Sequence, residues 1–190
     1  MHGGPEASPW VRRWAASAEA SCSGRQALDL ACGSGRHVRW LADRGWQVLA
    51  LDRDAAAVEP LKPIAEVLVA DVESGPWPLI GRRFDLVVVT NYLWRPLMPA
   101  LLDTVAEGGW LVYETFAVGH ETIGRPSNPD FLLRPGELLG MATNGGLRVI
   151  GFEDGFVSSP ERFVQRLAAV RERPRPATAP ARWRLDGSPG

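Results

Sequence analysis

Short apolar runs that alternate with stretches of helical spacing are the feature that most constrains how this chain can fold. Five runs have the length of a β-strand. They are QALDLA (26–31), WQVLALD (46–52), AEVLVAD (65–71), FDLVVVTNYL (84–93) and EGGWLVYETF (107–116). Such alternation is typical of strand–helix–strand units, in which right-handed crossover helices cover a parallel sheet.

The C-terminal part of the chain breaks this alternation. A helix is predicted over 134–146, and two strands, LRVIGFED (147–154) and RFVQRLAAVRER (162–173), then follow each other directly. Two consecutive strands indicate an antiparallel hairpin at the edge of the sheet. The fourth run, 84–93, is nearly continuous and β-branched, so we expect it near the middle. The predicted fold is therefore α/β, a doubly wound, Rossmann-like and mostly parallel sheet with an antiparallel C-terminal hairpin.

The domain organisation follows from length and from the two ends of the chain. With 190 residues the chain can bury one good core, so we expect one domain over 21–172. Ser8 and Pro9 form a helix-capping pair, which predicts a covering helix within residues 1–20. Its tryptophans, with Trp40, are interpreted as packing residues. The proline-rich segment 173–190 has no apolar period, and we expect a disordered tail.

Charge and composition exclude several classes of function. Lys and Arg number 21 and Asp and Glu 22, so no positive field for nucleic acid is predicted. Cys22, Cys32 and three histidines have no zinc spacing, so we expect no metal. No stretch has the length of a membrane span, and the first twenty residues lack the apolar core of a signal peptide. These observations favour a cytoplasmic monomer or homodimer that acts on a small molecule.

The segment ALDLACGSGRH (27–37) ends the first predicted strand with a turn that contains Gly33 and Gly35. In a doubly wound sheet, ligands bind beyond the carboxyl ends of the strands, where the winding reverses. Glycines in that turn let the backbone approach a ligand, and the next helix presents free N–H groups. The turn therefore predicts a nucleotide-type ligand, although a tight turn without a ligand has the same composition.

Carboxylates lie at three successive strand ends, at Asp29, Asp52 and Asp71. Asp52 is placed where a carboxylate accepts hydrogen bonds from ribose hydroxyls, although Asp52 and Asp71 could also be helix caps. Val38 stands where the dinucleotide fingerprint G-x-G-x-x-G requires a small residue, and Asp29 would repel a phosphate. These residues favour a ligand with a ribose and an amino-acid cation over one with a pyrophosphate.

Four motifs in order carry a family resemblance. LDLACGSGRH, LALDRD, VLVADVES and FDLVVVTNYL resemble the class I S-adenosylmethionine-dependent methyltransferases, over residues 9–170. NYLWRPL and ETFAVGHETIGRPSNPDFLLRPGELL are similar to bacterial methyltransferases described as TehB (tellurite-resistance)-like. Ala31 stands where the family usually has the first glycine of its turn. The resemblance implies a seven-stranded sheet and S-adenosyl-L-methionine as cofactor.

The resemblance also implies roles for individual residues. Asp29 and the glycine turn would surround the methionine part of the cofactor, Asp52 would bind the ribose, and Asp71 with Val72 would contact the adenine. The expected cofactor-binding residues are Asp29, Ala31, Cys32, Gly33, Ser34, Gly35, Asp52, Arg53, Asp71, Val72 and Asn91.

The methyl acceptor is expected at the ends of strands four and five. Residues 117–134 are too long for an ordinary connection and predict a lid. The expected substrate-binding residues are Tyr92, Trp94, Arg95, Phe116, His120 and Arg125, and the catalytic candidates are Asn91, Glu114 and His120. Asn91 could instead cap a helix, His120 could be an ordinary surface residue, and the arginines could pair with Glu114 or Glu121.

Three functions compete at this stage. The first is methyl transfer from S-adenosylmethionine to a small molecule by in-line displacement, which needs alignment and exclusion of water more than a dedicated catalytic motif. The second is an NAD(P)-dependent oxidoreductase, which would use the same turn and Asp52. The third is a module that binds S-adenosylmethionine without catalysis, because no general base stands out in the sequence.

Overall fold

The structure, a computed structural model, describes residues 6–174, 176, 181–183 and 185. Seven strands form a single sheet in the described part. They are β1 (Gln26–Leu30), β2 (Gln47–Asp52), β3 (Glu66–Val69), β4 (Phe84–Thr90), β5 (Val105–Phe116), β6 (Arg148–Ser158) and β7 (Glu161–Val170). The predicted α/β class and strand count are confirmed.

The sheet has the order β3-β2-β1-β4-β5-β7-β6. The first five strands run parallel, and β7 is antiparallel to both of its neighbours. The predicted C-terminal hairpin is thus confirmed, with β7 inserted between β5 and the edge strand β6. The prediction that the β-branched run lies near the middle is also confirmed, because β4 is the fourth of seven strands. The winding reverses between β1 and β4, which opens a crevice at their carboxyl ends.

Five α-helices are present in the described residues; the first precedes β1 and the other four lie between strands. They are α1 (Pro9–Ser21), α2 (Arg36–Asp43), α3 (Ala55–Val58), α4 (Met98–Asp103) and α5 (Glu137–Asn144). The segment 95–105 is only partly α-helical. Residues 95–97 form a 3₁₀ turn beside its two prolines, and Val105 already belongs to β5. None of the described helices is long and apolar enough to cross a membrane.

Alternate residues of each central strand enter different apolar layers, because side chains in a strand point to opposite faces. In β1, Leu28 and Leu30 pack in the layer that includes α4 and α5, whereas Ala27 packs in the layer that includes α1 and α2. Both faces of the sheet are therefore covered. This burial leaves the carboxyl edge of the parallel strands as the place where polar side chains converge.

The N-terminal helix α1 packs against one face of the sheet and is held there by hydrogen bonds. The hydroxyl of Ser8 accepts a hydrogen bond from the N–H of Trp10, as the predicted cap requires. The indole of Trp10 donates to the carbonyl of Leu167 at 3.1 Å, and Trp14 is 2% exposed. These tryptophans pack in the core, as predicted.

Much of the predicted tail falls outside the described residues. Of those that are described, Trp183 places its ring edge-on to Trp110, with 5.5 Å between centroids. Its indole donates to the carboxylate of Glu172 at 3.3 Å. Disorder over 173–190 therefore stays a prediction for the remainder of the segment.

Candidate functional site

A cleft of about 740 Å³ lies at the carboxyl ends of β1, β2, β4 and β5, where the winding reverses. Its wall includes the loop after each of these strands and the segment predicted as a lid. The lining residues are Ala31, Cys32, Gly33, Ser34, Arg36, Asp52, Arg53, Asp54, Ala57, Glu73, Thr90, Asn91, Tyr92, Leu93, Thr115, Phe116, Arg125, Pro126 and Phe131. The motifs that the sequence separates by up to about a hundred residues thus share one cavity.

The glycine turn is held in a left-handed conformation that shapes the cleft wall. Ala31 and Gly33 both have φ of 54°, and Gly35 has φ of 76°. A Cβ at Gly33 would meet nothing within 4 Å, so this backbone faces open space. A Cβ at Gly35 would lie 2.5 Å from a methyl carbon of Leu61, so this glycine is required for packing. Gly33 therefore leaves the backbone accessible from the cleft, whereas Gly35 avoids a clash with the core.

Asp52 organises the loop beside it. One carboxylate oxygen accepts a hydrogen bond from the N–H of Gly33 at 2.7 Å, and the other accepts from the N–H of Asp54 at 2.9 Å. Each oxygen retains a free lone pair, since a carboxylate has about four acceptor positions. Asp52 lines the cleft, so it can accept further hydrogen bonds from two adjacent hydroxyl groups of a ligand.

A smaller recess of about 150 Å³ adjoins Asp52. It is lined by Asp71 and Val72 from the loop after β3 and by Tyr92. The pKa of Asp71 is lowered by hydrogen bonds from the N–H of Glu73 and the hydroxyl of Ser74. Burial raises the pKa of the Tyr92 phenol. The recess combines an aromatic and an aliphatic wall with polar edges, which suits a planar heterocyclic base.

Asp29 lies beneath the glycine turn and not in the cleft wall. It is 1% exposed, and neither carboxylate oxygen has a hydrogen-bond partner among the described residues. Burial raises its pKa to about 8. The N–H of Val38 lies close enough to act against this rise, and the Nδ1 of His37 lies 4.0 Å from one carboxylate oxygen. The Nε2 of His37 accepts from the N–H of Ser8. Burial lowers the pKa of His37 to about 3, so its ring is neutral and carries its proton on Nδ1.

Glu114 is held inside the protein by other side chains. It is 0% exposed, and its Oε2 accepts from the Nε of Arg166 at 2.5 Å. Its Oε1 accepts from the hydroxyl of Ser8 at 3.2 Å and lies 3.8 Å from Arg162. Glu114 was a catalytic candidate in the sequence, but the structure does not bring it into the cleft. Both oxygens are occupied in joining β5, β7 and the start of α1.

The acceptor end of the cleft is formed by the ends of β4 and β5. Thr90 and Asn91 line it from β4, and Thr115 and Phe116 line it from β5. Asn91 has φ of 54°, an uncommon conformation for a residue other than glycine, and its N–H donates to the carbonyl of Glu114. Strained backbone of this kind is concentrated at functional sites.

The segment predicted as a lid is an ordered loop with closed ends. The N–H of Val118 donates to the carbonyl of Leu133, and the N–H of Leu133 donates to the carbonyl of Phe116. His120 is 5% exposed, stacks on Phe116 with 4.3 Å between ring centroids, and bonds the carbonyl of Arg125 through Nε2. His120 therefore supports the cleft wall from behind instead of lining it.

Arg95 ties the end of this loop to helix α5. Its guanidinium makes two hydrogen bonds, of 2.6 and 2.9 Å, to the carboxylate of Glu137. It also donates to the carbonyls of Asp130 and Leu132, on either side of the lining residue Phe131. Arg95 thus holds the C-terminal end of the loop against α5. Trp94 packs against the core and, like Arg95, does not line the cleft.

Most of the expected cofactor residues do converge. Only Asp29 and Gly35 of that set lie beneath the wall, and Asp71 and Val72 line the adjoining recess. Of the substrate set, Tyr92, Phe116 and Arg125 line the cleft. The prediction missed Arg36, Asp54, Ala57, Glu73, Leu93 and Pro126. Asp54 and Glu73 could have been found two residues after Asp52 and Asp71, whereas Arg36 was hidden within the turn motif.

Comparisons with known proteins agree with this geometry. Residues 27–108 match the family described as "Methyltransferase domain". No curated protein sequence matches the chain. A TehB-like SAM-dependent methyltransferase from Corynebacterium glutamicum is 21% identical over 85% of this chain and 86% of its own, with a TM-score of 0.61.

Two further solved structures have the same fold at lower identity. TehB from Haemophilus influenzae is 17% identical over 83% of this chain and 60% of its own, with a TM-score of 0.63. Magnesium protoporphyrin IX methyltransferase from Synechocystis, solved with bound SAH, is 17% identical over 85% of this chain and 80% of its own, with a TM-score of 0.64. The chain thus has the fold of these methyltransferases.

Proposed function

We propose, from the premise that residues 27–108 form a methyltransferase domain, that this protein transfers a methyl group from S-adenosyl-L-methionine to a small molecule. One observation carries the proposal. The glycine turn, the Asp52 carboxylate and the recess at Asp71 form one continuous wall of the cleft, in the order of an amino acid, a ribose and a base. We also propose a cytoplasmic location.

The residues present fit this cofactor. Gly33 faces open space and lets an extended chain pass close to the backbone. Asp52 has free lone pairs for two ribose hydroxyls, and the recess beside Tyr92 takes the adenine. No pyrophosphate is required by any of these contacts.

Alignment is the main task of the chain in this reaction. When bound, the cofactor would supply a sulfonium methyl group, whose carbon is open to in-line attack by an acceptor atom as the carbon–sulfur bond breaks and S-adenosylhomocysteine leaves. Asn91 and Thr115 offer polar atoms at the acceptor end to orient the nucleophile, and Phe116 and Phe131 reduce the access of water. These contributions lower the barrier by positioning and desolvation.

The binding step is tested by calorimetric titration with S-adenosylmethionine and S-adenosylhomocysteine. Asp52→Ala should weaken binding by about 1.5–3 kcal/mol, because a hydrogen bond to a charged group contributes that much. Asp43→Asn also removes one negative charge, but at an exposed position on α2. It serves as the control and should leave binding unchanged. Equal affinity of wild type and Asp52→Ala would contradict the proposed orientation.

The transfer step needs a separate assay. Incubation with labelled S-adenosylmethionine and a panel of small carboxylates, phenols, thiols and amines should yield S-adenosylhomocysteine with at least one acceptor class. Binding without turnover over the whole panel would instead favour a module that holds the cofactor and catalyses nothing.

A further inference from the structure

Two phenylalanines of the cleft wall, Phe116 and Phe131, belong to neither of the apolar layers that cover the sheet. The chain has six phenylalanines. Three of the others lie in the layer with α4 and α5 or pack against it: Phe84, Phe152 and Phe163. Pockets that bind small molecules are lined mainly by apolar and aromatic side chains. Phe116 and Phe131 therefore present ring surface to the cleft that the core does not use.

The ring of Phe116, at the end of β5, is held in place by His120. The two rings stack with 4.3 Å between centroids and 25° between planes. His120 is buried, and its Nε2 lies 3.1 Å from the carbonyl oxygen of Arg125, so the histidine ring is itself fixed. Because His120 covers one face of Phe116, a ligand in the cleft meets the other face or the edge. A ring that is oriented before binding reduces the entropy that binding costs.

The backbone of Phe131 is also fixed, although its ring is 37% exposed. Phe131 ends a short 3₁₀ turn, Pro129–Phe131, and its N–H donates to the carbonyl of Asn128 at 3.0 Å. The guanidinium of Arg95 donates to the carbonyls of the residues on either side of it. The ring of Phe131 is thus kept at the cleft and is accessible to a ligand there.

Strands β4 and β5 and the loops after them bring no general base to the cleft in the described part of the chain. Glu114 and His120 do not line it, and burial raises the pKa of the Tyr92 phenol, which stays protonated at neutral pH. The carboxylates in the cleft wall come from the end of β2 and from the loops after β2 and β3, on the proposed cofactor side. An acceptor at the β4 and β5 end must therefore lose its proton without help from such a residue.

We infer that the methyl acceptor is a planar aromatic compound whose accepting atom is an oxygen or sulfur bonded directly to the ring. The inference deepens the proposed function and rests on it. Phe116 and Phe131 favour such a compound, because two aromatic rings attract each other beyond the effect of buried area, whereas a saturated ring lacks this contribution.

The acidity of such an acceptor agrees with the missing base. An aromatic ring delocalises the negative charge of the oxygen or sulfur, so the group loses its proton more readily than an aliphatic hydroxyl or thiol. The proton passes to water. A lone pair of the resulting anion then forms the bond to the methyl carbon, while the electron pair of the carbon–sulfur bond stays on the sulfur. The products are an aryl methyl ether or thioether and S-adenosylhomocysteine.

The binding experiment is a calorimetric titration of protein saturated with S-adenosylhomocysteine. The ligands are naphthol and its saturated counterpart decahydronaphthol, which share a carbon skeleton and a hydroxyl but differ in planarity and aromaticity. Phe131→Leu and Phe116→Leu keep an apolar side chain and remove the ring, whereas Phe131→Tyr keeps the ring. Phe156→Leu is the control, because Phe156 is an exposed phenylalanine that packs on Phe163 and does not line the cleft.

Wild type, Phe131→Tyr and Phe156→Leu should bind naphthol more tightly than decahydronaphthol. The ratio of the two affinities should fall by about two- to tenfold in at least one of the leucine variants of Phe131 and Phe116. Melting temperatures show whether each variant is folded. A wild-type preference for the saturated alcohol, or an unchanged ratio in both of these variants, would overturn the inference.

Turnover tests the position of the accepting atom. Incubation with S-adenosylmethionine at neutral pH should yield S-adenosylhomocysteine with naphthol or naphthalenethiol, but not with naphthalenemethanol, whose hydroxyl is separated from the ring by a carbon. Equal turnover of naphthalenemethanol, or turnover of none of the three, would contradict the class of acceptor. If wild type does not bind S-adenosylhomocysteine at all, the proposed function fails. The aromatic preference is then judged on the unloaded protein, with the same two alcohols and the same variants.

Discussion

Replacing Asp29 by asparagine should remove a specific pH dependence of stability. The pKa of Asp29 rises from 3.8 to about 8 on folding because of burial, so the folded protein keeps a proton that the unfolded chain releases. Stability from this group is complete at low pH and is lost as pH rises toward 8. His37 has the opposite sign, because burial lowers its pKa from 6.5 to about 3 and protonation favours the unfolded chain below pH 6.5.

The pH dependences that Asp29 and His37 give to stability cancel over one pH range, and above that range only that of Asp29 remains. Each contributes a slope of about 1.4 kcal/mol per pH unit to the free energy of unfolding. Between about pH 4 and 6.5 the slopes oppose each other, so wild type should show little net change from this pair. Between pH 6.5 and 8 only Asp29 titrates, and wild type should lose up to about 2 kcal/mol.

Urea unfolding, repeated in steps of half a pH unit from pH 5 to 8, measures how the free energy of unfolding depends on pH. Asp29→Asn keeps the shape of the side chain but cannot titrate, so its stability should rise from pH 5 to 6.5 and then remain level. The exposed Asp43→Asn should follow wild type. Parallel curves for wild type and Asp29→Asn above pH 6.5 would refute the assignment of a protonated Asp29.

Three further predictions concern the backbone and the loop. Ala31→Gly should raise the free energy of unfolding by up to about 1 kcal/mol, because glycine adopts a positive φ without strain, whereas Ala50→Gly within β2 should lower it. Both are measured by urea unfolding. Arg95→Gln should increase proteolytic cleavage within 117–134 and lower stability by about 1–3 kcal/mol, with Glu137→Gln giving a similar result. Gly35→Ala should cost more than about 2 kcal/mol, since the new methyl group meets the core and φ is positive; a smaller loss in urea unfolding would contradict this.

The local pattern of apolar and polar residues was sufficient to predict the architecture of this protein. Apolar runs and helical spacing predict the five parallel strands and the hairpin, because the period of burial is written into neighbouring residues. The same holds for the glycine turn after β1, for Asp52 at the end of β2 and for Asp71 after β3. Parallel strands bring their carboxyl ends to one edge, so residues at strand ends meet whatever the details of packing.

Long-range contacts decided which charges are available for function. Glu114 stands at a strand end like Asp52, yet Arg166, which lies 52 residues away in sequence, removes it from the cleft. Arg95 likewise follows β4, but its guanidinium is bound by the carboxylate of Glu137, 42 residues away. Pairing and desolvation depend on distances between segments that are remote in the chain. Periodicity in the sequence determines which edge a side chain reaches, but only the packed structure determines whether its charge is already neutralised there.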